Sequence, residues 1–69
     1  SRAAREAASS GRPVVYESQD GWQRVEAQPL SYNQQTKCHK VQEKIYQDGR
    51  LVKDEIKEIC EGTKTERTY

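Results

Sequence analysis

At 69 residues the chain allows one small domain, and a domain of that size buries only about 60% of the surface its unfolded form exposes, so its core needs a supplement. A charged fraction of 33%, with no Phe and no Met but a net charge of only +1, places the composition on the border between folded and disordered chains. The near balance of twelve basic and eleven acidic residues argues against a nucleic-acid binder, which carries a basic stripe. The longest uncharged apolar run is Val14-Val15-Tyr16, which argues against membrane insertion and a signal-peptide core.

Residues 1–13 (SRAAREAASSGRP) hold Ala, Ser and Arg and no large apolar side chain. Alanine favours helix, but an isolated helix of fewer than about 12 residues is marginal in water. The segment is therefore expected to be a disordered arm, or at most a frayed helix, with Gly11 and Pro13 marking the boundary of a domain over 14–61. The sequence starts without Met, as a processed product, an excised domain or a subunit fragment would.

Two Asp-Gly pairs, Asp20-Gly21 and Asp48-Gly49, each lie between residues with strand character. A two-residue type I′ hairpin turn needs positive φ at both central positions, which Gly takes freely and Asp tolerates. Placing Asp20 and Gly21 at those positions sets Glu17 opposite Arg24 and Tyr16 opposite Val25, both favourable cross-strand pairs. Pro29 then ends the second strand, and Ser31 to Thr36 reads as a loop.

The second hairpin runs from Lys37 to Cys60. A plain turn at Asp48-Gly49 would align Ile45 with Val52 and Val41 with Ile56 in an apolar stripe, but it would also set Lys44 against Lys53 and Glu43 against Asp54, and like charges directly opposite are destabilising. A one-residue bulge next to the Gly brings Lys44 to Asp54, Lys40 to Glu58 and Cys38 to Cys60, and is favoured for that reason. A competing reading is an αα-hairpin: Val52, Ile56, Ile59 and Cys60 have helical spacing, with Gly62 where a C-cap would stand. The strand composition of the first hairpin decides for an all-β fold, a small antiparallel meander of two β-hairpins, followed by a flexible tail over 62–69.

Cys38 and Cys60 are level with each other in a hairpin of either kind, so a disulfide is predicted, and with it an extracellular or secreted location. It would supplement the small core by about 3 kcal/mol. The alternative is two reduced, buried cysteines. Cys38, His39 and Cys60 offer zinc-type donors, but there is no C-x₂-C pair, and adjacent residues of a strand point to opposite faces. Neither a metal site nor a cofactor is expected. The same divergence argues against a Cys-His nucleophilic pair. The acidic residues interleave with lysines, as on a solvated face.

The aromatics Tyr16, Trp22, Tyr32 and Tyr46 remain as candidate binding residues, because Tyr and Trp join a large contact area to a polar handle. Filling the core is the competing role, above all for Tyr16 and Trp22. The sequence therefore reads as a non-enzymatic module that binds another protein chain through an edge strand or an aromatic face. The alternative is a structural subunit or fragment whose apolar stripe a neighbouring chain covers.

Overall fold

The computed structural model describes residues 2–61. The expected tail at 62–69 lies outside them. Helix α1 (Arg2–Ser10) is followed by strands β1 (Val14–Glu17), β2 (Gln23–Asn33), β3 (Cys38–Gln47) and β4 (Arg50–Cys60). The strands form one antiparallel sheet in the order β1-β2-β3-β4. This is the expected meander, and residues 37–61 are not helical.

The second turn has the predicted chemistry. Asp48 (φ 54°) and Gly49 (φ 77°) both lie in the left-handed region, as a type I′ turn requires. The predicted bulged register follows: Val52 is the extra residue, and beyond it Lys44 faces Asp54, Lys40 faces Glu58 and Cys38 faces Cys60. The bulge lies three residues past Gly49 rather than beside it. Within β3–β4 one like-charged pair survives, Glu43 opposite Glu55. Lys57 spans the two, its Nζ 3.0 Å from Glu43 and 3.6 Å from Glu55.

The first hairpin keeps its predicted register, Tyr16 to Val25 and Glu17 to Arg24, but its connection is wider than a two-residue turn. Ser18 N donates to Gln23 O at 2.9 Å, Gly21 N donates to Ser18 O at 2.9 Å, and Gly21 has positive φ whereas Asp20 does not. The Asp20 carboxylate works differently here: it accepts from Trp22 N (3.0 Å) and from Ser18 Oγ (2.7 Å). Arg24 pairs along its own strand with Glu26 at 2.9 Å rather than across to Glu17.

Pro29 does not end β2. The strand continues to Asn33 through a register shift between Pro29 and Ser31; a bulge is one of the few places where a residue without an N–H is tolerated inside a sheet. The loop shortens accordingly to residues 34–37, closed by Asn33 Oδ1 accepting from Gln35 N (2.8 Å) and Thr36 N (3.2 Å).

The N-terminal segment departs most from expectation: it is a docked helix and not a disordered arm. Ala3, Ala4, Ala7 and Ala8 share one face of α1 and are at most 4% exposed. Together with Ala27 and Val41 they form the core, flanked by Val14, Val25 and Ile59. Packing against a sheet supplies what a short helix lacks alone, and methyl side chains let α1 come close to it. Gly11 (φ 70°) closes the helix, its N–H donating to Ala7 O at 2.9 Å, which is an αL C-cap.

Glu43 lies inside this core, fully buried, although its place in the sequence suggests a solvated face. The hydrogen bond from Lys57 to this carboxylate, opposed by partial burial, holds the Lys57 ammonium above its ordinary pKa.

Candidate functional site

Because α1 packs on one face of the sheet, the residues that alternate away from it form an uncovered face. Tyr46 and Lys44 lie there on β3, Arg24 and Glu26 on β2, and Asp54 and Ile56 on β4. The cross-strand neighbours Lys44–Asp54 and Gln42–Ile56 and the 2.8 Å bond from Gln42 Nε2 to Asp54 Oδ1 share this side. The face also exposes apolar groups: Ile56 is 60% exposed and Val15 52%. Ile56 does not extend a stripe with Val41, because the Val52 bulge turns it opposite Gln42.

The four aromatics expected to bind fall into two classes. Tyr16 serves the fold: its hydroxyl donates to the Glu6 carboxylate, and the Arg2 guanidinium lies 5.7 Å from its ring centroid. That bond to Glu6 holds the Tyr16 hydroxyl above the usual phenol range. Tyr32 stands at the opposite end of the sheet, its ring 4.4 Å from that of His39, whose Nε2 is 3.2 Å from Glu61 Oε2. Desolvation first, and then the Glu61 carboxylate, hold the Tyr32 hydroxyl above the usual phenol range.

Trp22 and Tyr46 are the two brought together. With Glu17, Gly21, Arg24, Glu26 and Gly49 they line an open cleft of about 330 Å³ between the two hairpin tips. The tips are stitched to each other, since Asp48 N donates to Trp22 O at 2.8 Å. On the other side of the loop Gln23 N donates to Ser18 Oγ at 3.0 Å. The backbone of Trp22 is thus held from both sides while its side chain stays 52% exposed. The bond from Trp22 N, and then that from Ser18, hold the Asp20 carboxyl below the usual carboxylate range. The sequence identified the two aromatics but not their juxtaposition, which depends on the wide first loop and on the β2–β3 register.

Cys38 and Cys60 are joined in the predicted disulfide across β3–β4. Among the described residues, a cluster of metal-type donors, Cys38, Glu58 and Cys60, lies within 4.8 Å, but its two sulfurs are bonded to each other and offer no thiolate. His39 turns instead to Tyr32 and Glu61, as strand alternation requires. No helix among the described residues is long and apolar enough to cross a membrane.

No protein-family model matches the chain, nor does any solved structure. The chain is 50% identical over 60 residues to an uncharacterized lipoprotein of Aquifex aeolicus (strain VF5). The match takes in 87% of this chain and 44% of that relative, so the chain spans less than half the length of the protein it resembles.

Proposed function

We propose that this chain is a non-enzymatic interaction module of the cell envelope or the exported space, and that it presents its uncovered sheet face to another protein. The observation that carries the reading is the asymmetry of the sheet: α1 seals one face with alanines, whereas the other leaves Val15, Trp22 and Ile56 more than half exposed. Two observations support the location. Disulfides persist in oxidising compartments, and the relative that is 50% identical over 60 residues is named a lipoprotein. The face suits binding better than the edge does, because β4 carries Lys53, Asp54, Glu55, Lys57 and Glu58, and charges on an edge strand oppose pairing with a further strand.

A second reading is favoured by the length relation. In a protein of which the matched residues are 44%, the remainder could cover the same face, and the chain would then be a structural part of a larger fold. A photo-crosslinking residue at Ile56, in the protein expressed in its own host, separates the two. An adduct with a different polypeptide supports the module, an adduct within the same polypeptide supports the structural part, and a residue that crosslinks to nothing refutes both.

A further inference from the structure

The geometry points to the cleft between the hairpin tips as a binding site for an organic cation, the ammonium or guanidinium of a lysine or arginine side chain on the partner polypeptide. This rests on the reading of the chain as an interaction module and names the chemistry of what the module grips. Three features carry it.

The walls are aromatic. Trp22 and Tyr46 line the same cleft of about 330 Å³, and the faces of these rings attract a cation placed within about 6 Å of their centroids. The cleft has room for the end of one side chain, and it is open enough for a chain to enter from solvent.

The charge is complementary. Glu17, Glu26 and Arg24 line the cleft, two carboxylates against one guanidinium, which leaves one negative charge in excess. Arg24 is taken up by Glu26 at 2.9 Å. Glu17 has no ion pair among the described residues, and its Oε2 lies 4.0 Å from where a Cβ on Gly21 would stand, so this carboxylate lies over the loop that carries Trp22. At the tips themselves, Asp20 and Asp48 outnumber the cation Arg50.

The site is preorganised. Trp22 is fixed through its N–H by Asp20 and through its carbonyl by Asp48, and the backbone of Tyr46 is paired on both sides, with Arg24 of β2 and Leu51 of β4. The backbone that carries both rings is therefore in place before a cation enters, which lowers the cost of binding.

The chain contains one tryptophan, so Trp22 emission reads the cleft directly. The oxidised protein is titrated with the capped peptides Ac-Gly-Gly-Lys-Gly-Gly-NH₂ and Ac-Gly-Gly-Arg-Gly-Gly-NH₂, with their norleucine and glutamate counterparts, and with n-butylammonium. At least one cationic peptide is expected to give a saturable change, binding about fivefold or more tightly than the norleucine peptide, with the glutamate peptide weakest. Glu17→Gln and Tyr46→Leu should each weaken the cationic peptide about threefold, whereas Glu58→Gln at the far end of the same face should not. Equal response to lysine and norleucine, no saturable change with either cationic peptide, or insensitivity to Glu17→Gln overturns the assignment. Butylammonium, which reproduces the end of a lysine side chain, should bind about as tightly as the lysine peptide; no saturable change with it where the lysine peptide binds would also overturn the assignment, by placing the contact outside the cleft. A specific Ile56 adduct alongside a silent cleft leaves the module standing and removes only the cation site.

Discussion

Replacing Cys38 and Cys60 together by alanine tests how a domain with so few large apolar residues stays folded. The bond joins positions 22 apart, and on the chain-entropy relation a loop of that size restricts the unfolded state by about 3.4 kcal/mol at 25 °C. A domain of this length has about 3 to 10 kcal/mol of stability in total, so the bond is worth a third or more of it. The Cys38→Ala/Cys60→Ala chain should melt about 15 to 25 °C lower than the oxidised wild type. Urea unfolding followed by circular dichroism should give the same loss for this variant and for the chemically reduced wild type. Register should survive, because the Asp48-Gly49 turn and the Val52 bulge align β3 with β4 independently of the sulfurs, and cross-strand NMR contacts between Lys44 and Asp54 at low temperature check this. A loss below about 1 kcal/mol would refute the reasoning: the hairpin would then already be constrained in the unfolded chain, and the bond would not be the supplement that a small core requires.

Three further outcomes are expected. Ala7→Leu, at a position with no exposed surface, should overpack the junction of α1 with the sheet and cost about 1 to 3 kcal/mol in urea unfolding, while Arg5→Leu on the exposed side of the helix should be near neutral; equal effects would mean that α1 is not docked through its alanines. The Asp20 carboxyl is held below its ordinary pKa by the N–H of Trp22 and then by Ser18. Its contribution to loop order is therefore fully present above the unfolded carboxyl pKa and lost as pH falls through the depressed folded value. Trp22 emission should change in that acid range in the wild type and not in Asp20→Ala; a wild-type profile that is flat there would falsify the role of the carboxylate. Deleting Val52 should preserve every pairing from Ile45–Lys53 outward, and with them the intramolecular disulfide, as a peptide map of the oxidised protein would show; mispaired or free thiols would mean that the extra residue lies elsewhere.

The parts of the fold that were legible in the sequence are those where a residue type has one strong preference. Asp48-Gly49 signals a turn with two positive φ values, and the charges on the strands beyond it select a bulged register over a plain one, which in turn brings the cysteines level. Asp20-Gly21 carries the same signal, but the Asp side chain caps the loop instead, and the pair of letters does not separate these uses. The helix was hidden because its buried face is methyl groups, which register as low complexity rather than as an amphipathic stripe. Glu43 was hidden because a carboxylate between lysines reads as solvated, and its burial arises only from α1 lying over β3. Pro29 looked like a strand end because the adjacent bulge has no local sequence signature. For the candidate site, composition singled out the aromatics, but which of them meet was set by register, a property of pairs of strands.

The bond from Asp48 N to Trp22 O makes two turns that lie far apart in the chain a single mechanical unit. The shape of the first loop is thus partly held by the second, and lengthening either would displace the aromatic walls of the cleft relative to each other. Among related chains, tolerance for insertions should accordingly be found at the opposite end of the sheet, around residues 34–36, where the loop closes on its own Asn33.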